Sequence, residues 1–192
     1  MHLGIDNRYY LPILFITDGR DTKNIRHRVI QARKIIGALN GVWWSKNITR
    51  NRKKIIYNSM VKSALIYGAE TWSLYEDDRR RINASEMDAL RRSARISKLD
   101  RKTNDYIRGK MDAQNMILDD ITRKQLIWYG HVERMDPTRL PRIMIYWRPE
   151  GRKQRGHPRR TWKDGINTYT AMNERDLRMG EWNNRRQWNM KV

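Results

Sequence analysis

Six apolar residues, Ile25, Val29, Ala32, Ile36, Leu39 and Trp43, recur at alternating intervals of four and three. Only an α-helix brings residues so spaced onto one face. The spacing therefore predicts a helix that opens near Thr22, as its cap, and runs to Trp43. The opposite face carries Lys23, Arg26, Arg28, Arg33 and Lys34 and is almost uniformly positive. A helix with one apolar stripe must bury it against partners, so the rest of the chain has to supply further amphipathic elements.

It does so by the same rule. Thr49 is a cap candidate for a second helix carrying Ile55, Ile56, Met60, Val61, Leu65 and Ile66, with Gly68 as its stop. Arg50, Arg52, Lys53 and Lys54 crowd the first turn of this helix. That end favours anions, so the placement costs stability unless a phosphate sits nearby. Asp77 and Asp78 suit the start of a third helix, to about Ser97, with Ile82, Met87, Leu90 and Ala94 inward. Thr103 heads a short helix ending near Gly109. A longer helix spans about Leu118 to Met135, with Ile121, Trp128, Val132 and Met135 on one side and Pro137 beyond its end. Leu140 to Trp147 is apolar but too short to separate helix from strand. Pro158 suits the first turn of a helix holding Trp162 and Ile166. Trp182 and Trp188 belong to small terminal helices. The run Leu11–Ile16 reads as a short buried strand, too short to span a bilayer and lacking the flanks of a signal peptide. The expected fold is mainly all-α: an irregular helical bundle with an N-terminal strand remnant and a basic, loop-rich C-terminal helical region.

The charge decides the class of partner. The chain carries 41 Lys and Arg against 21 Asp and Glu, a net +20 over 192 residues. Such self-repulsion disfavours compactness and favours a polyanion. The charge peaks between Arg148 and Lys163, where Arg148, Arg152, Lys153, Arg155, Arg159, Arg160 and Lys163 face one acid, Glu150. Pro149, Gly151, Gly156 and Pro158 deny this segment a continuous helix, so it can follow an irregular phosphate backbone. Arginine predominates, which suits bidentate phosphate contacts. Trp147 and Trp162 bracket the segment as structural anchors; Trp72 and Trp128 are anchors elsewhere. Lys23, Arg26, Arg33 and Lys34 form the second candidate contact.

Sites of chemistry are missing from the pattern. There is no cysteine, hence no disulfide and no thiolate zinc site. His2, His27, His131 and His157 lack ligand spacing. No phosphate-binding loop or nucleophile elbow occurs. Tyr75-Glu76-Asp77-Asp78 spells the Y-x-D-D of a polymerase metal box, but that chemistry needs carboxylates on a β-hairpin plus a third from another strand. Nothing after Asp78 reads as a strand, and helix capping accounts for both aspartates. Asp119-Asp120 likewise suits a first helical turn. No catalytic residue, metal ligand or cofactor is assigned.

Two blocks resemble a known family. The first is Lys62-Ser-Ala-Leu-Ile-Tyr-Gly-Ala-Glu-Thr-Trp72, followed by INASEMDALRRSARIS from Ile82 to Ser97. The second holds Trp128-Tyr-Gly-His-Val132, then Arg-Leu-Pro, Trp-Arg-Pro-x-Gly-Arg and Arg-Gly-His-Pro-Arg-Arg-Thr-Trp-Lys-Asp-Gly-Ile166. Together, over roughly Asp18 to the end, they resemble the C-terminal part of endonuclease–reverse transcriptases of non-LTR (LINE-type) retrotransposons. The resemblance implies an altered palm–thumb junction in residues 1–20, thumb-like helices in 21–75, a post-thumb helical region in 76–137 and a basic Arg/Trp-rich region in 138–192. The catalytic palm and the endonuclease would lie before residue 1, which places Tyr75–Asp78 outside the active site. The family commonly has Arg at His157 and large apolar residues at Ala84, Ser85 and Ala94, so one phosphate contact and tight packing of the third helix are expected to be lost. The implied function is a nucleic-acid-binding fragment without polymerase activity, taking RNA, DNA or RNA–DNA duplex. The alternatives are an interaction module with an acidic protein partner and a translated relic. The export signals are absent, so an intracellular chain is expected, and the basic runs and the family suit the nucleus. The purified chain is expected to extend no primer with any metal ion. Nucleotide incorporation that disappears in Asp77→Ala would overturn both the domain reading and the capping role of Asp77.

Overall fold

The computed structural model describes residues 21–113, 115–147, 162–165, 168–173 and 175–192. Among them there are helices and no strand. The chain is thus mainly all-α; the strand expected at Leu11–Ile16 lies outside the described residues. No described helix is long and apolar enough to cross a membrane.

Helix α1 (Thr22–Ala38) buries Ile25, Val29, Ala32 and Ile36, four of the six residues that define its stripe. It does not continue to Trp43. It ends at Leu39, between Gly37 and Gly41, whose low helix propensity makes a break cheap. The short α2 (Asn40–Trp44) then turns Trp43 fully inward, and its indole N–H donates to the carbonyl of Ile36 at 2.9 Å. Thr22 is not the cap. Asp21 occupies that position without a side-chain cap bond, while the Thr22 hydroxyl donates to Asp78 at 3.1 Å. Asp21 instead accepts from the backbone N–H of Ser73 at 2.7 Å. Burial, opposed by that bond and assisted by the charge of Asp78, raises the Asp21 carboxyl above its ordinary range.

Thr49 does cap α3 (Arg50–Ile56), accepting from the N–H of Arg52. The rod then widens into a π-helical segment, Tyr57–Lys62, before α4 (Ser63–Leu65). Ser59 donates to the carbonyls of Ile55 and Ile56 within this stretch, at 2.9 and 3.3 Å, which satisfies groups the wide turn leaves out of register. Gly68, at φ +73°, makes the left-handed turn that a side chain would resist, and a 3₁₀ turn (Ala69–Thr71) delivers Trp72 to the core.

Helix α5 (Glu76–Ser93) stops short of the expected Ser97. Its small residues do not loosen it: Ser85 and Ala89 are fully buried, and Ala94 nearly so, while Ala84 is exposed. The hydroxyls of Ser85 and Ser93 bond back to the carbonyls of Arg81 and Ala89, so burying them leaves no orphan. Ile82 and Ala89 join the main core with α1, Trp43, Tyr57, Trp72 and the Ile117–Ile121 turn of α7 (Ile117–Glu133). Among the described residues the largest cluster therefore draws on both sides of residue 75. Met87, Leu90 and Ala94 form a second cluster with Ile107 and Met111 of α6 (Asn104–Met111), whose cap is Thr103 and which reaches two residues past Gly109.

The third cluster closes the C-terminal part. Leu126 and Tyr129 of α7 pack with Ala171, Met172, Leu177 and Trp188, the last on α11 (Arg185–Lys191). Leu140–Tyr146 is a helix, α8, with Pro141 in its first turn. The short helices α9 (Trp162–Gly165) and α10 (Thr168–Asn173) complete the order, with a 3₁₀ turn at Glu181–Asn183. The Trp188 indole donates to the Leu126 carbonyl at 3.1 Å and presses against Gly130. A Cβ at Gly130 would stand 2.8 Å from Cε2 of that ring, closer than van der Waals contact permits. Gly130→Ala is accordingly expected to cost roughly 1–3 kcal/mol by overpacking. It should also free the C-terminal helix to proteolysis at Arg185 and Arg186. Urea denaturation and timed trypsin digestion check both effects.

Candidate nucleic-acid interface

Helix α1 contains no acidic residue. Lys23, Arg26, Arg33 and Lys34 are exposed, and none of them forms an ion pair among the described residues. At 3.6 residues per turn the four fall within roughly a quarter of the helix circumference, over about 16 Å of its length. Arg28 does not belong with them. It is buried, with its guanidinium 4.6 Å from the Tyr67 ring centroid, and holds the edge of α1 against the turn after α4. A shallow groove of about 390 Å³ follows that edge, lined by His27, Arg28, Gln31, Ile35, Ser63, Ala64 and Tyr67. Tyr67 is 46% exposed, so this edge of α1, beside Arg28, presents an aromatic face.

Of the second set, Arg148, Arg152, Lys153, Arg155, Arg159 and Arg160 lie outside the described residues, as does the turn expected at Pro158. Lys163 is described, on α9. It is half-buried, with its ammonium 4.5 Å from the Tyr146 ring centroid and 6.0 Å from that of Tyr129. In this position it ties α9 to α7 and α8. Tyr146 in turn donates to buried Glu133 at 2.5 Å. Burial, and after it that carboxylate, raises the phenols of Tyr129 and Tyr146 above their ordinary range.

The four tryptophans expected as anchors divide three ways. Trp72 is fully buried in the main core, and its carbonyl accepts from Gln125 at 2.8 Å. Trp162 is half-buried against the third cluster, donating to the Glu70 carbonyl at 3.2 Å. Trp128 is only half-buried. It points off the buried side of α7, which is built instead from Ile117, Ile121, Gln125, Leu126, Tyr129 and Val132. Its ring sits 5.5 Å from His131, in a groove shared with Lys124, Arg134 and Arg185. Trp147 is 64% exposed and anchors nothing among the described residues, because α8 presents no buried residue at all. Trp182 and Trp188, read from sequence only as parts of small helices, supply the packing instead. Trp182 meets Tyr129 and Trp188 edge-on at 5.6 and 6.2 Å.

The Y-x-D-D letters occupy the start of α5. Asp77 is largely exposed, while Asp78 is buried and bonded to Thr22, so the two carboxylates do not converge. Asp119 accepts from the N–H of Met116, and Asp120 pairs with Lys62. No group of three or more His, Asp or Glu able to hold a metal ion occurs among the described residues.

These are the features of a basic, helical chain with aromatic side chains beside its cations. A Caenorhabditis elegans protein described as transposon-derived and uncharacterized is 29% identical to it over 138 residues. The match covers 67% of this chain and 48% of that protein, so the chain spans about half the length of the relative. The similarity points to a transposon-related origin. No protein-family profile matches the chain, and no solved structure does. The contrast between Trp162 and Trp147 is directly measurable. Trp162→Ala is expected to lower stability by about 2 kcal/mol, the loss of a half-buried ring and its hydrogen bond. Trp147→Ala should leave the melting temperature unchanged.

Proposed function

We propose that the chain is the nucleic-acid-binding thumb and post-thumb portion of a LINE-type retroelement reverse transcriptase. It grips RNA, DNA or an RNA–DNA duplex through phosphates, and polymerisation depends on a palm supplied upstream. The acid-free face of α1 carries this reading. Four exposed cations in one row, with no acid on the helix to neutralise them, repel one another until an anion arrives. A phosphate backbone is the polyanion whose charges repeat at that scale. The basic segment from Arg148 to Lys163 extends the same chemistry. The Tyr-Gly-Ala-Glu-Thr-Trp and Trp-Tyr-Gly-His-Val blocks, and the similarity to a transposon-derived protein, support the retroelement assignment.

Replacing Lys23, Arg26, Arg33 and Lys34 together by Ala is expected to weaken binding to RNA and DNA of any sequence alike. The slope of log K against log salt concentration should flatten by about three to four units on a duplex. Stability should change by less than about 0.5 kcal/mol, since all four side chains are exposed. A variant that retains the parent's affinity and slope removes α1 from the interface. A parent chain that binds no nucleic acid at low salt refutes the reading as a whole.

A further inference from the structure

The cavity between the start of α3 and the ends of α5 and α6 measures about 230 Å³ and is lined by Ser45, Lys46, Ile48, Thr49, Arg50, Lys53, Ser93, Ala94, Arg95, Lys110 and Met111. Five of these are cationic and none is acidic. Lys46, Arg50, Arg95 and Lys110 come from three separate stretches of chain, are all exposed, and form no ion pair among the described residues. Nearby, Lys54 pairs with Asp112, Arg92 with Asp88 and Arg108 with Glu86, so these carboxylates are engaged by cations outside the cavity lining.

Two further features mark the spot. Lys53 forms the floor, only 3% exposed, with its ammonium donating to the carbonyls of Trp43, Ser45 and Ser93 at 2.5, 2.9 and 3.3 Å. Those bonds satisfy its protons but supply no negative charge. Burial, and then the charge of Arg95, pull its pKa below the usual lysine range. Arg95 itself stands at φ +56°, just past the end of α5. Its N–H donates to the Arg92 carbonyl and that of Ile96 to the Arg91 carbonyl, the hydrogen-bond pattern of a helix end that glycine fits without strain. Arg95 thus carries a left-handed backbone and adds a fifth cation to the cavity lining.

We infer that this cavity seats one phosphate group of a bound nucleic-acid strand, held by Lys46, Arg50, Arg95 and Lys110 over the Lys53 ammonium. The inference rests on the nucleic-acid reading but uses none of the residues of the α1 row, so the two fail separately. A free inorganic phosphate has the same chemistry, and competition distinguishes it from a phosphodiester.

Arg95→Gly is the decisive variant, because glycine relaxes the backbone while removing the charge. Its melting temperature should equal or exceed the parent's. Its affinity for a fluorescein-labelled twelve-nucleotide RNA strand, or the matching RNA–DNA duplex, should fall by about tenfold or more. The combined variant Lys46→Ala, Arg50→Ala, Lys110→Ala should flatten the salt slope by a little under one unit, the value for a single phosphate. Both variants binding like the parent, with the parent's slope, would overturn the inference while leaving the α1 interface standing. Loss in these variants but not in the α1 variant upholds the cavity at the expense of the α1 row. If millimolar inorganic phosphate saturates the cavity, followed by the amide signals of Arg50 and Arg95, without displacing the labelled strand, the phosphodiester assignment is wrong.

Discussion

Burial of α5 on two sides is the constraint on which the other helices depend. Ile82, Ser85 and Ala89 face the cluster built by α1, the Trp43 turn and Trp72, while Met87 and Leu90 face α6. No other described helix contributes to both clusters. A helix used on both faces cannot carry large side chains throughout, and Ser85, Ala89 and Ser93 keep its buried surface low. The two serine hydroxyls are returned to the helix backbone, so burial costs no unsatisfied donor. Lys53 adds a polar clamp at one end of this packing, joining the carbonyls after α2 to the last turn of α5.

A chain with twice as many bases as acids has to decide where its few carboxylates go. Asp78, Glu86 and Glu133 are all buried. Asp78 receives Thr22 and has Arg81 nearby; Glu86 receives Arg108 at 2.6 Å and the N–H of Ile117 at 3.1 Å; Glu133 receives Tyr146 and has Arg142 at 3.8 Å. Burial raises the Glu86 carboxyl, and the Arg108 contact opposes the shift. Each of these acids joins two helices, and each is thereby withdrawn from the surface.

The tryptophans divide between core and surface. Trp43, Trp72 and Trp188 are fully buried, whereas Trp128 and Trp147 remain at the surface, the former within a groove that also holds Lys124, Arg134 and Arg185.

Periodicity alone determined the helical class, the apolar stripe of α1, the Thr49 and Thr103 caps and the placement of Tyr75–Asp78 at a helix start, because each depends on neighbours within a turn or two. The positive face of α1 was legible for the same reason, except at Arg28, whose burial depends on Tyr67 some forty positions away. Only the tertiary structure decided which tryptophans are core. Spacing cannot tell Trp128, one residue from the buried stripe of α7, from Tyr129, which lies within it. The need for glycine at residue 130 was equally invisible, since it arises from Trp188 docking from the far end of the chain. The cavity around Arg95 belongs to the same class. The crowding of cations at the start of α3 could be read from the sequence, but Arg95 and Lys110 join them only because α5 and α6 end there. Local order is written in near neighbours; charge and packing between distant segments exist only once the chain has folded.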